Sequence, residues 1–439
     1  MKILNKIKIV AILIVLIIAS SCSLEEGQSL NGPQITSISE GLSRPELPQV
    51  VAGILSDMRV DMGTERDVLS VLGREYWHIQ SSDPGWGTEL AAGLLSNSAF
   101  FINRPYTSRY ATVKGCNILL ESLEAESTIT IFSAAEIAAI RGFANTIKAH
   151  ELLSVLNLVY QNGIRIDVSD PDNLGPFETY DGALTTIMGL LDSGFTDLTT
   201  GGDVSPNTLG VSYAEFNRAI AARVAAYQGN SAGVLSALAD SFMDINGDMD
   251  SGAYFRYSAA GADLLNPLFI ALNSGDTGAA VAYPDFIEDP SIPSFEPGDT
   301  RLNKVVARSD FPIQLELAGM AGAYDVFIYQ SSTDPVGIIR NEELLLLYAE
   351  ANMVSDPDAS ADAINAVRDA AGLGPVASGT VDEDRIIFER RYSLFGEGHR
   401  WIDMRRFGRL ADINQDFDRP GDLSPVPSQF PIPQSEGLN

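Results

Sequence analysis

Apolar residues at helical spacing recur along this chain in adjacent stretches fenced by caps and glycines, and that pattern commits it to packed helix hairpins. Over residues 106–126, Tyr110, Val113, Asn117, Leu120 and Leu123 fall on one helical face. Ser133-Ala-Ala-Glu136 is a capping box, in which a serine oxygen and a glutamate three residues on satisfy free amides, and the helix it opens runs to about Val159. A third helix begins near Thr179. Between Tyr213 and Met243 the pattern breaks at Gly229-Asn230 and restarts, as antiparallel helices joined by a tight turn do. Asn341 to Asn352 and Ala361 to Gly372 form another hairpin. Asn341 is placed to cap it, Glu342 and Glu343 face the positive dipole end, and Gly372 and Pro375 stop it. Helix pairs rich in alanine and leucine predict a mostly α scaffold of tetratricopeptide type, although no strict 34-residue period is visible.

Between the helices the composition changes. Residues 244–310 are rich in Gly, Asp, Pro and aromatics, and Pro284, Pro290, Pro293 and Pro297 exclude long helices there. Ala323 to Tyr329 is β-branched and aromatic, and reads as one strand before a turn at Asp334-Pro335. The expected organisation is a helical scaffold over about 40–243 and 338–410 and a loop-rich lobe with short strands over about 244–337. A C-terminal strap over 411–439 completes it, with prolines 425, 427, 431 and 433 holding its end extended.

The first residues set the compartment. Lys2, Lys6 and Lys8 form a basic segment, Ile9 to Ala19 is unbroken apolar sequence, and Ala19-Ser-Ser-Cys22 is a small-residue cleavage site ending in cysteine. The apolar run is far short of the roughly 20 residues that span a bilayer, so residues 1–21 read as a cleaved leader rather than a retained anchor. Cysteine after small residues resembles a lipobox, with Ala19 where Leu is usual, and makes Cys22 the expected acylation site. The acidic Glu25-Glu26 that follows resembles a surface-export signal. About 415 residues then remain, more than one typical core.

Net charge is −29, and becomes −32 once the three leader lysines are lost, which disfavours nucleic acid and anionic lipid surfaces as partners. Apart from Cys22 the sequence has only Cys116, so acylation leaves no intrachain disulfide; Cys116, among apolar residues, reads as a small buried hydrophobe.

Phe388 to Gly408 holds the densest chemistry. Thr380-Val-Asp-Glu383 reads as a second capping box, Gly396 and Gly398 end the helix it starts, and a short helix from Arg400 turns Trp401, Met404 and Phe407 inward. Arg405 and Arg406 are placed to pair with Glu389, Glu397 or Asp403. His399 beside Glu397 and Asp403 could be read as a base. With no nucleophile or second histidine nearby, a charge network locking two helices is the better reading.

This run, Glu389-Arg-Arg with Leu394-Phe-Gly-Glu-Gly-His-Arg-Trp401, resembles the C-terminal hallmark of the SusD/RagB family. Arg340 to Ala351 is similar to the family's "R-x-x-E-x-x-L-x-x-A-E-A" helix, and Ala363 to Leu373 to its following element, with Asp369-Ala370 where a basic residue is common. Tyr110 to Asn117 and Phe430 to Glu436 resemble two further family elements. The resemblance implies a SusD-like nutrient-binding lipoprotein of the outer membrane, facing the cell exterior. Its ligand would be an oligosaccharide or other nutrient, and its partner a SusC-like TonB-dependent transporter. It implies binding without catalysis, and no cofactor.

Chemical motifs add little. His78, His150 and His399 have no zinc spacing, and no phosphate loop or nucleophile elbow occurs. Asp244-Ile-Asn-Gly-Asp-Met-Asp250 places oxygens at alternate residues, but glycine is missing at the sixth position and Phe255 stands at the twelfth, so it is no EF-hand; an acidic turn or a looser calcium site remains. A glycan needs aromatic faces to stack on and polar groups for its hydroxyls. The aromatic-polar segment Tyr76, Trp77, Asp83 and Trp86 is the first candidate, with Trp86 between glycines expected to be displayed and Trp77 more often a core residue. Tyr283 and Asp285 come second. Two other readings stay open: a surface glycoside hydrolase, needing two carboxylates in one cleft, and a periplasmic helical-repeat scaffold for protein partners.

Overall fold

The computed structural model describes residues 38–413 and 426–436, apart from 262, 289–295, 297, 310–312 and 316–319. The leader with Cys22, Glu25 and Glu26, the prolines Pro290, Pro293, Pro297 and Pro425, and residues 414–425 of the strap lie outside the described residues.

Helices dominate. α1 (Leu47–Asp57) and α2 (Met62–Leu72) lead into β1 (Tyr76–Ile79). α3 (Phe100–Ser122), the short α4 (Glu126–Ile131) and α5 (Ala134–Val159) follow. A two-stranded ribbon, β2 (Ile164–Arg165) and β3 (Phe177–Glu178), precedes α6 (Tyr180–Gly201), α7 (Tyr213–Tyr227) and α8 (Ser231–Ala239). The lobe contributes β4 (Gly252–Phe255), β5 (Ala279–Ala282), α9 (Asp285–Glu288), β6 (Val305–Ala307), β7 (Ile313–Leu315), β8 (Met320–Gly322) and β9 (Tyr324–Val326). β10 (Val336–Arg340) returns the chain to the scaffold helices α10 (Asn341–Asn352), α11 (Pro357–Ala370), α12 (Glu383–Ser393) and α13 (Arg400–Arg406).

Local chemistry sets these boundaries. Both halves of the box at Ser133 and Glu136 are formed, and a second box at Ser212 and Glu215 opens α7. α5 and α6 approach closely because glycine faces glycine: a Cβ on Gly142 would lie 2.7 Å from Leu198 Cγ and 2.8 Å from the Gly194 carbonyl oxygen. A bidentate contact from Arg141 to Asp197, at 2.8 and 2.6 Å, pins the same pair at its rim.

Three sequence expectations shift. The buried stripe of α3 is Val113, Cys116 and Leu119, with Leu123 also buried; Tyr110, Asn117 and Leu120 sit at its margin. Polar partners draw Tyr110 and Asn117 there, since the Tyr110 hydroxyl donates to the Arg165 carbonyl at 2.8 Å and Asn117 accepts from Lys148 at 2.8 Å. Burial of Cys116 pushes its thiol up, so it packs as a hydrophobe. Asn341 does not cap α10. Its amide donates to the Asp244 carbonyl at 2.7 Å and its oxygen accepts from the Asp244 amide at 2.9 Å, tying the acidic turn to the scaffold. Capping of α12 falls to Asp382, which accepts from the Arg385 amide at 2.9 Å, instead of the box expected from Thr380 and Glu383.

The lobe is built on a four-stranded antiparallel sheet, ordered β1-β5-β9-β6, so a strand from the N-terminal region forms its edge. The strand expected over 323–329 is shorter, Tyr324–Val326, and Phe327 to Tyr329 leave the sheet. A separate ribbon pairs β4 with β10 and slips register between Gly337 and Ile339. The strap crosses the scaffold as extended chain: Phe430 is fully buried, and its amide donates to the Leu158 carbonyl at 2.9 Å.

Candidate ligand-binding cleft

The hallmark run folds into a clasp of buried charge. Glu389, fully buried, accepts from Arg301 at 2.6 Å and Arg368 at 2.9 Å. Asp403 accepts from Arg390 at 2.8 Å and Arg406 at 2.9 Å, and Arg406 reaches Glu350 at 2.5 and 2.7 Å. Arg405 differs from expectation. Its guanidinium bonds the carbonyls of Asn157 at 3.0 Å and Ser428 at 2.8 Å and lies 4.1 Å over the Tyr160 ring, because its face of α13 meets the strap, where carbonyl oxygens are on offer.

His399 is buried with Nε2 3.5 Å from Glu343, whose carboxylate Arg223 grips at 2.6 and 2.8 Å. Burial first, then Arg223 and Arg390, hold its imidazole well below the ordinary value, so it stays neutral. Gly396 and Gly398, at φ of 76° and 77°, make the turn between α12 and α13. The Gly396 amide donates to the buried Glu75 carboxyl at 3.0 Å, and burial pushes that carboxyl up to about 7.

The aromatic segment chosen from sequence is core. Trp86 is 4% exposed, contrary to the display expected of it, and is boxed by Phe101 at 4.9 Å, Phe100 at 5.7 Å and His78 at 4.2 Å. Flanking glycines did not expose it, because α3 supplies a wall. Trp77 packs edge-on to Tyr283 at 5.1 Å, and both are buried. Tyr76 is buried as well, its hydroxyl donating to Asp67 at 2.8 Å. Asp83 is half-buried and accepts from the Gly85 amide at 3.2 Å. Asp285 begins α9. The strand β1 and the turn at Trp86 therefore bring Trp77, Trp86 and Tyr283 into the main core, while Tyr76, on the other face of β1, packs with Phe286 and Phe395, and Asp83 is half-buried.

An open cleft of about 580 Å³ lies elsewhere, at the seam of lobe and scaffold. One wall is the β4–β10 ribbon with Tyr254; the opposite wall is the 3₁₀ turn Thr300–Lys304, and Phe327 to Tyr329 complete it. Tyr254, Phe327 and Tyr329 are half-buried, which leaves apolar ring area facing the cavity, and Asp250, Thr300 and Asn303 are exposed at the rim. The floor is polar but internally paired. Arg340 contacts Asp250 at 3.0 Å, Glu342 at 2.9 Å and Glu397 at 2.5 Å. Burial works to raise the Glu397 carboxyl, but the charge of Arg340, its hydrogen bond and the nearby Lys304 together outweigh burial and hold the group below the ordinary value. Lys304 donates to the Tyr392 carbonyl at 3.0 Å and to that of Ser393.

The acidic turn at 244–250 satisfies its own backbone: Asp244 accepts from the Asn246 amide at 2.9 Å and Asp248 from the Asp250 amide at 3.0 Å. Among the described residues no group of three or more His, Cys, Asp or Glu side chains is placed to hold a metal ion, and no helix is long and apolar enough to cross a membrane.

Most of the clasp, and Arg340, Glu342 and Glu397 of the cleft floor, lie within a known family signature: the SusD family model matches residues 328–430. SusD-like protein P38 of Formosa agariphila is 35% identical over 96 residues, a stretch that spans about a fifth (19%) of that relative and of this chain. In fold, a laminarin binding SusD-like protein superposes with a TM-score of 0.68 at 16% identity, covering 90% of this chain and 97% of its own. Surface glycan-binding protein A from Bacteroides thetaiotaomicron in complex with laminarihexaose gives 0.66 at 16% identity, with the same coverage. A SusD superfamily protein from Bacteroides vulgatus gives 0.67 at 14%, covering 90% and 96%. The fold is the mostly helical one of these SusD-like structures, with tetratricopeptide-like helix pairs. The chain is thus similar in sequence to the SusD family over 328–430 and shares the SusD-like architecture over most of its length.

Proposed function

We propose that this protein binds a glycan in the seam cleft and delivers it to a SusC-like TonB-dependent transporter, anchored to the outer membrane by lipid on Cys22 and facing the cell exterior. The observation that carries the reading is the cleft itself, where half-buried Tyr254, Phe327 and Tyr329 line a volume of about 580 Å³ beside exposed Asn303, Thr300 and Asp250. Rings for sugar faces and polar groups for hydroxyls are what carbohydrate recognition requires. Structural neighbours named for laminarin and laminarihexaose support the ligand class. Tyr76, Trp77, Trp86 and Tyr283 would act from behind, as packed core, and Asp83 would be peripheral to the contact surface.

Capture without cleavage fits the floor chemistry. A glycosidase needs one carboxyl protonated at working pH, whereas Glu397 is held ionised by Arg340, and Glu342 is bound to the same guanidinium. Titrating the protein from Cys22 onward with glycan and peptide panels by calorimetry tests the reading. Heat on glycan addition without release of reducing sugar is expected; binding confined to peptides, or sugar release, overturns it.

A further inference from the structure

We infer that the cleft selects uncharged glycans and rejects sulfated or uronate-bearing ones; this rests on the glycan-binding reading above. Among the described residues, each cation that lines the cleft already has its partners. Arg340 is shared among Asp250, Glu342 and Glu397. Arg301 is held by Asp299 at 2.8 Å and Glu389 at 2.6 Å, and is buried. Lys304 spends its ammonium on the Tyr392 and Ser393 carbonyls at the end of α12. A sulfate or carboxylate entering the cleft would have to pull Arg340 or Arg301 away from buried carboxylates, which leaves those charges unpaired, or strip Lys304 from the two backbone carbonyls it satisfies.

The rim adds repulsion. The Asp250 side chain is 80% exposed, and Asp334 lines the cleft with its carboxylate accepting the Gln330 amide at 2.6 Å and the Ser331 amide at 3.0 Å. Hydroxyl ligands have what they need there, an amide on Asn303, a hydroxyl on Thr300 and acceptors on the aspartates. The lobe segments 289–295, 310–312 and 316–319 contain Asp289, Asp310 and Glu316 and no Lys or Arg, so the sequence supplies no further base from them. The net charge of −29 acts in the same direction at long range.

The test pairs ligands that differ only in charge: an uncharged β-glucan hexaose and its sulfated derivative, titrated calorimetrically at low and high salt. The uncharged ligand is expected to bind at least tenfold more tightly, with an affinity that changes less than twofold between the two salt conditions. Asp250→Lys, at a position exposed enough to leave folding intact, is expected to narrow the ratio several-fold by strengthening the sulfated ligand. Equal or tighter binding of the sulfated glucan by the unaltered protein overturns the inference while leaving glycan binding standing. Failure of every glycan, charged or not, overturns the glycan reading itself.

Discussion

Two aromatic regions of this molecule carry similar residues to opposite ends. Around Trp86, rings from β1 and α3, with Tyr283 just past β5, close on one another at centroid distances of 4.2 to 5.7 Å and leave nothing for a ligand. Around Tyr254 and Tyr329, rings stand on a ribbon and on a strand exit whose neighbours are polar, so part of each face stays open to the cleft. What separates the two is what other segments bring opposite them. A tryptophan between glycines is free only if no helix arrives, and α3 opens with Phe100-Phe101 aimed at it.

The contrast can be broken most forcefully at Trp86. Trp86→Ala is expected to cost about 3–5 kcal/mol of stability, the usual loss for a fully packed large aromatic, measured by urea unfolding. Glycan affinity of the folded fraction should not move. A smaller effect is expected at Glu75, which precedes the aromatic segment and ties it to the clasp turn through the Gly396 amide. Its folded carboxyl titrates at about 7 against an ordinary 4.5, so the folded state favours the protonated form. Stability is intact below pH 4.5, declines as pH rises toward 7 and levels off above. Glu75→Gln removes that decline, so unfolding curves of variant and parent should coincide near pH 4 and separate by up to about 3 kcal/mol at pH 8. No separation would mean Glu75 is not held protonated. On the cleft side, Asn303→Ala should leave unfolding within about 0.5 kcal/mol of the parent, as for an exposed site. It should weaken glycan binding about fivefold, one hydrogen bond's worth, by calorimetry.

The scaffold was legible in sequence because helices announce themselves locally. The box at Ser133 and Glu136, Thr179 ahead of α6, and the break at Gly229-Asn230 all lie within a few residues of the boundaries they set. The clasp was legible as a charge network, though not in its pairings. Glu389 takes Arg301 from 88 residues away, and no spacing rule reaches that far. The cleft was illegible for the same reason, being assembled from 249–254, 300–304, 327–337 and the clasp turn. One available signal pointed the right way: Tyr76-Trp-His-Ile79 is β-branched and aromatic enough to read as a strand, which would have placed Trp77 in a sheet and moved attention from that segment.

The central claim is that the ligand is read at the seam and not at the aromatic core, and paired calorimetry on Tyr254→Ala and Trp86→Phe tests it most directly. Both variants should fold, since Tyr254 is only half-buried and phenylalanine keeps a ring in the core. The account predicts that Tyr254→Ala raises the glycan Kd about tenfold, close to 1.4 kcal/mol, while Trp86→Phe leaves it within a factor of two. A folded Trp86→Phe that loses the glycan, beside a Tyr254→Ala that binds as the parent does, would contradict it.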